Sequence, residues 1–239
     1  MPGARDEFED ADDDRCLPYA DRLQAADVLA RALNHHAGHD ELVLAIPRGA
    51  VPMGARLAQR LDATLDLVPV RKLGAPHQPE LAIGAVDGDG VLVHTAGLES
   101  LADSHWLSGE VERQRALLAR RFERYRAGRP AIELEGRRVI VVDDGLATGA
   151  TMRAALGWVR RRRPVWITCA VPIAETESLE SLGPLADEVV CPRRSRSLFA
   201  ISQYYLRFAQ VSDDEVEAVL AAQASGRSSS NRDDSTLAP

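Results

Sequence analysis

Asp143 and Asp144 stand side by side after Arg138-Val139-Ile140-Val141-Val142, and Gly145-Leu146-Ala147-Thr148-Gly149-Ala150-Thr151 follows them. Adjacent carboxylates can hold sugar hydroxyls or a cation. The Thr-Gly-Ala-Thr stretch offers backbone N–H groups, two hydroxyls and the start of a helix, which together cradle phosphate. A ligand with both hydroxyl or metal groups and a phosphate fits that pairing, and a sugar phosphate is one. The Val/Ile run before the acids reads as a buried parallel strand. Such strands present ligands at their carboxyl ends, where the two acids emerge.

Other motifs share some of these parts. A Walker A loop needs Lys-Ser/Thr after its second glycine, and no lysine follows Gly149. A dinucleotide fingerprint needs Gly-x-Gly-x-x-Gly, and only Gly145 and Gly149 are present here. Phospho-acceptor receiver domains have acidic pairs at strand ends but no Thr-Gly-x-Thr loop after them. An ordinary turn at Asp143-Asp144-Gly145 and an ordinary helix cap at Thr148 would each explain one feature. They explain poorly why both fall within nine residues of a buried strand.

The flanking sequence supplies the elements that would position this segment. Asp21 to Ala37 has helical apolar spacing, Glu41 to Ile46 reads as a strand, and Val51 to Leu61 as a helix with Pro52 in its first turn. Leu65 to Arg71 reads as a second strand ending at Arg71-Lys72, with a Gly/Pro-rich loop from Leu73 to Pro79. Leu81 to Val86 and Val91 to His94 flank Asp87-Gly88-Asp89-Gly90, a hairpin signal. A charged helix from Ser108 to Arg126 ends at Gly128-Arg129-Pro130. Beyond the acid pair come a helix from Thr151 to Arg162, a strand from Val165 to Val171, a loop or helix around Glu175 to Leu182, and a short strand from Glu188 to Cys191. Asp213 to Gln223 reads as a terminal helix. Strands alternating with helices predict an α/β fold, a mainly parallel central sheet flanked by helices.

Composition bounds the rest. The 239 residues suffice for one α/β domain with a small accessory segment. Of the net charge of −7, residues 1–14 contribute −6, from seven acids against Arg5, so the remainder carries about −1. That leaves no broad field for nucleic acid. The basic run Arg160 to Arg163 falls at a helix C-terminus, where the dipole favours positive charge. Residues 1–14 read as a disordered acidic extension, 15–224 as the folded domain, and the Ser/Asp/Arg-rich 225–239 as a disordered tail. Cys16, Cys169 and Cys191 form no Cys-x-x-Cys pair, which argues for a reducing compartment and against a cysteine-based zinc site. With no apolar run of signal or membrane-spanning length, the reading is a soluble cytoplasmic protein without membrane partners.

Val139 to Thr151 resembles the 5-phosphoribosyl-1-diphosphate (PRPP) signature of the type I phosphoribosyltransferases. Leu44 to Pro52, Val70 to Pro76 and Pro79 to Ala85 look like a bacterial branch of that family, and the likeness runs from about Phe8 to about Gln223. The resemblance implies displacement of pyrophosphate from ribose C1 by a small-molecule acceptor, usually a nitrogenous base. It implies that Asp143 and Asp144 bind the ribose hydroxyls, directly or through water on Mg²⁺. It gives Ala147, Thr148, Gly149, Ala150 and Thr151 the 5-phosphate, and Arg48-Gly49 the pyrophosphate. Arg71 and Lys72 become pyrophosphate ligands beside a closing loop. No dedicated metal cage is implied, because Mg²⁺ is held largely by substrate phosphates and water. A homodimer is compatible with the family. The other reading is a PRPP-binding regulator with the same fold and little or no catalysis. Acceptor choice would lie in the hairpin around Asp87 to Gly90, in His94 to Trp106, or in Pro192 to Phe208. None of these matches a recognisable base-binding pattern. Tyr204, Tyr205 and Phe208 are expected to pack the C-terminal segment rather than to stack a base.

Overall fold

The computed structural model describes residues 17–233. The acidic extension at 1–14 and Cys16 lie outside the described residues. Five strands form the central sheet: β1 Leu42–Ala45, β2 Thr64–Leu67, β6 Arg138–Val142, β7 Trp166–Ala170 and β9 Glu188–Val190. Their order is β2-β1-β6-β7-β9, and every pairing is parallel. The α/β expectation therefore holds.

Both faces of this sheet are covered, which is why its strands are apolar at nearly every position. Val43, Ala45, Ile140 and Val142 point into a core shared with α1 (Arg22–Ala32), α2 (Val51–Leu61), α3 (Ser104–Arg126) and α6 (Asp213–Asp233). Leu42, Leu44, Val139, Val141, Ile167 and Cys169 point the other way, onto α4 (Ala150–Arg160). Cys169 and Cys191 are reduced and buried, packing as small apolar side chains.

The largest departure from the expected elements concerns residues 68–79. The second strand stops at Leu67, because Pro69 supplies no N–H to a ladder. The chain then enters a separate antiparallel sheet, β3 (Val70–Ala75), β4 (Gln78–Asp87) and β5 (Leu92–His94), in the order β3-β4-β5. Arg71 and Lys72 thus lie inside β3 and do not end β2. The expected loop is a hairpin, with a register irregularity around Gly74 and a turn at Pro76-His77.

Smaller differences have local causes. α3 begins four residues early because the Asp103 carboxylate accepts from Trp106 N–H at 2.9 Å, capping the helix. A parallel pair, β8 (Ile173–Glu175) with β10 (Arg193–Ser195), brackets the short helix α5 (Thr176–Glu180). α6 continues to Asp233, so part of the segment expected to be a disordered tail is helical. Ser212 and Glu215 start that helix as a reciprocal capping box. Among the described residues no helix is long and apolar enough to cross a membrane.

Candidate active site

β6 carries Asp143 and Asp144 out at the carboxyl edge of the sheet, and Gly149 turns the chain into α4. Gly149 has φ 71°, the left-handed region that glycine enters without steric penalty. The N-terminal amides of α4 therefore face the space beside the two acids. Asp143, Asp144, Ala147, Thr148, Gly149, Ala150 and Thr151 line one cleft of about 530 Å³, together with Lys72 from β3. Its remaining wall is apolar and includes Leu81, Leu98, Phe199 and Ile201, with Phe199 88% exposed. A cleft of this size suits a small ligand.

The loop from Leu146 to Gly149 is braced from below. Leu146 N–H donates to Ile173 C=O at 3.0 Å, and Glu175 N–H to Leu146 C=O at 2.9 Å. Ser178 Oγ donates to Ala147 C=O. Arg153, one turn into α4, donates to Thr148 C=O and to His94 C=O, both at 3.1 Å.

The acid pair is held more elaborately than its sequence reveals. Asp144 N–H donates to Asp143 Oδ1 at 2.8 Å. Arg22, the first residue of α1, places Nε 2.9 Å and Nη2 2.8 Å from Asp144 Oδ2. The same guanidinium donates to Ala209 C=O at 2.7 Å and stacks 3.7 Å over the Phe208 ring. Tyr205 Oη donates to Asp144 C=O at 2.6 Å. Burial and the neighbouring Asp144 charge push the Asp143 carboxyl well above the usual carboxylate range. Burial also raises Asp144, against the opposing pull of Arg22. Two crowded carboxylates of this kind fit a cationic or hydroxyl-bearing ligand.

Gly49 lies against the acids as well, since a Cβ there would run into Asp144 Oδ2. The Pro47–Arg48 peptide beside it is cis. Arg48 and Arg71 do not line the cleft with the acids. The Arg48 guanidinium lies 3.6 Å from Asp213 at the start of α6. Arg71 faces a second hollow with Glu110 and Arg113 of α3. Burial and the charges of Arg121, Arg113 and Arg48 lower the Arg71 pKa, with Glu110 opposing them. Arg48, Arg71, Arg113 and Arg121 thus lie near enough for Arg71 to feel the charge of the other three.

One expected accessory region needs correction. The Asp87–Gly90 turn is no part of the cleft: Asp87 and Asp89 pair with Arg161 and Arg162 past the far end of α4. Those pairs and the Arg160–Asp187 and Arg163–Glu135 bridges tie up the basic run. Tyr204, Tyr205 and Phe208 pack inward as expected, yet Tyr205 and Phe208 also hold Asp144 and Arg22. Arg22, Arg153, Ser178 and Tyr205 were not foreseen. Arg22 left one faint trace, a cation in a first helical turn, where the dipole disfavours it.

The phosphoribosyl transferase domain model matches residues 19–193. The chain belongs to that family. A Mycobacterium tuberculosis protein, described provisionally as a phosphoribosyl transferase in strains H37Rv and CDC 1551, is 42% identical over 209 residues, covering 84% of this chain. The chain spans about half the length of these curated relatives, 46%. The crystal structure of TT1426 from Thermus thermophilus is also 42% identical, with a TM-score of 0.71 over 87% of this chain and 99% of that one.

Proposed function

We propose that this phosphoribosyl transferase family member binds PRPP with Mg²⁺ and transfers its phosphoribosyl group to a nitrogenous base. The observation that carries the proposal is one cleft holding the acid pair, the α4 amino terminus and Lys72. The amides and hydroxyls from Ala147 to Thr151 receive the 5-phosphate. Asp143 and Asp144 take the ribose hydroxyls. Their carboxyl groups are hard oxygen donors standing side by side, and so fit Mg²⁺. Bound there with the substrate phosphates, Mg²⁺ would supply charge neutralisation for the departing pyrophosphate.

In the reaction the C1–O bond to pyrophosphate breaks, and its electron pair leaves with the pyrophosphate. A nitrogen lone pair of the acceptor forms the new C1–N bond, and that nitrogen loses its proton. Positive charge builds on the ribose ring before the new bond is complete, so carboxylates on one side and cations on the other favour the crossing. On this reading Lys72, in the cleft, and Arg48 and Arg71 supply the positive charge that the departing pyrophosphate needs. Phe199 and Ile201 offer an apolar surface for a flat acceptor ring.

The test is PRPP turnover with Mg²⁺ across a panel of purine and pyrimidine bases, reading pyrophosphate release. Release that depends on one base supports transfer. Tight PRPP binding without turnover on any base would favour a PRPP-sensing protein instead.

A further inference from the structure

At the opposite end of the sheet, where the strands begin, an unrelated set of side chains converges. His35 and His36 lie in a single 3-10 turn (Asn34–His36) after α1, and Glu188 opens β9. His35 Nε2 is 2.8 Å from Glu188 Oε1, and His36 Nε2 is 2.7 Å from Glu188 Oε2. One carboxylate is therefore gripped between two imidazoles whose centroids are 4.3 Å apart. The three ligand atoms lie within 4.8 Å of one another.

We propose that His35, His36 and Glu188 form a binding site for a divalent transition metal of the zinc class. Two imidazoles and one carboxylate are the donors zinc and cobalt favour, whereas magnesium and calcium prefer oxygen alone. Zinc bonds of about 2.0–2.1 Å at tetrahedral angles place neighbouring ligand atoms roughly 3.3 Å apart. The two nitrogen–oxygen separations, 2.8 and 2.7 Å, need to widen by only about half an ångström to reach that spacing. His35 can make this adjustment, because 57% of its side chain is exposed. Solvent on that side would supply water as the fourth ligand.

The surroundings are those that orient metal ligands. His36 is buried, and its Nδ1 lies 2.8 Å from Oε1 of the buried Glu41, leaving Nε2 aimed at Glu188. A carboxylate behind a ligating histidine fixes its ring and makes it a better donor. Arg138 Nε holds the same Glu41 oxygen at 2.8 Å, and Thr168 Oγ1 donates to Glu188 Oε2 at 2.9 Å. The other Glu41 oxygen is buried without a hydrogen-bond partner. Glu41 and Glu188 face Arg138 and His36, so the cluster keeps a surplus negative charge for a metal when His36 is neutral. The rival account is a metal-free network in which a protonated His36 bridges Glu41 and Glu188. A metal bound here would displace the proton on Nε2 and clamp the end of α1 to β9. It would lie far from Asp143 and play no part in phosphoribosyl transfer.

The experiment uses the full, tag-free chain stripped with chelator and then titrated with ZnCl₂ by calorimetry and with CoCl₂ by visible absorption. One equivalent of each should bind, with cobalt giving the d–d bands of a nitrogen- and oxygen-ligated ion, and zinc should raise the melting temperature. His35→Ala, at an exposed position, should weaken zinc by about tenfold or more and abolish the cobalt bands, leaving the metal-free melting temperature unchanged. Absence of stoichiometric binding by the natural chain would overturn the proposal. So would undiminished binding by His35→Ala, because the metal would then lie elsewhere. Neither result bears on PRPP turnover, which the base panel tests separately.

Discussion

Arg22 and Asp144, 122 residues apart in sequence, form a two-pronged ion pair beside the cleft, with Nε and Nη2 at 2.9 and 2.8 Å from one carboxylate oxygen. The pair is largely shielded, with side-chain exposures of 12% and 15%. Its guanidinium also touches Phe208 and Ala209, so one residue ties α1, the acid pair and the C-terminal segment together. Arg22 is accordingly a positioning residue for the proposed reaction.

Arg22→Met tests that role through pH. Burial raises the Asp144 pKa and Arg22 opposes the rise, so losing Arg22 keeps the carboxyl protonated to higher pH. On the proposed reading, PRPP–Mg²⁺ binds the ionised form. Affinity measured by calorimetry from acidic to mildly alkaline pH should therefore fall off at a higher pH than in the natural chain. Near neutrality the loss should be roughly tenfold, or about 1.4 kcal/mol. An unchanged pH profile with uniformly weaker binding would point to packing alone.

Asp143→Asn should separate stability from function. Burial and Asp144 hold the Asp143 pKa above its unfolded value. A group raised in this way favours the fold below its unfolded pKa, and that contribution is lost as pH climbs through the folded value. Above its unfolded pKa the acid is thus a burden on the fold that asparagine lifts. The melting temperature should rise by about 2–4 °C, the change that about 1 kcal/mol produces at this size. PRPP binding should be lost at the same time. A lower melting temperature would show that Asp143 is better satisfied than its setting implies.

The strand Val139 to Val142, the acid pair and the loop to Thr151 were legible because each signal is local: β-branched residues, adjacent charges, small residues before a helix. The path of Arg71-Lys72 was not. Gly74, Pro76 and Pro79 read as loop punctuation, yet Gly74 lies in β3, Pro79 in β4 and Pro76 in the tight turn joining them, and the ladder tolerates irregularity at Gly74. The grip of Arg22 on Asp144, and that of His36 on Glu188 across 152 residues, come from topology and leave no spacing to read. The Asp87–Gly90 turn was recognised as a turn. Its docking on Arg161 and Arg162 depended on where α4 ends in space.

Lys72 and Arg71 should fail differently, because only Lys72 lines the cleft with the acids. Lys72→Ala is expected to lower kcat by about 100-fold with little change in KM for PRPP, the mark of a charge acting mainly in the transition state. Arg71→Ala should chiefly raise KM for PRPP and weaken inhibition by pyrophosphate. Steady-state kinetics with product inhibition distinguishes the two patterns. Equal effects on kcat would erase the distinction drawn from the cleft.

Gly49→Ala probes why no side chain stands beside the acids. An added Cβ would collide with Asp144 Oδ2 and come within 3.3 Å of Arg22 Nη2. Neither partner can retreat freely, since Phe208 covers Arg22 and Tyr205 holds the Asp144 backbone. Overpacking of this kind costs about 1–3 kcal/mol, and PRPP affinity should fall as the carboxylate is displaced. If the Asp144 side chain is the obstacle, the same substitution should cost less stability in an Asp144→Ala background. Urea denaturation of the four proteins in this cycle should then yield a coupling of about 1 kcal/mol. Simple additivity would mean that Gly49 is required for the backbone path and not for the room it leaves to Asp144.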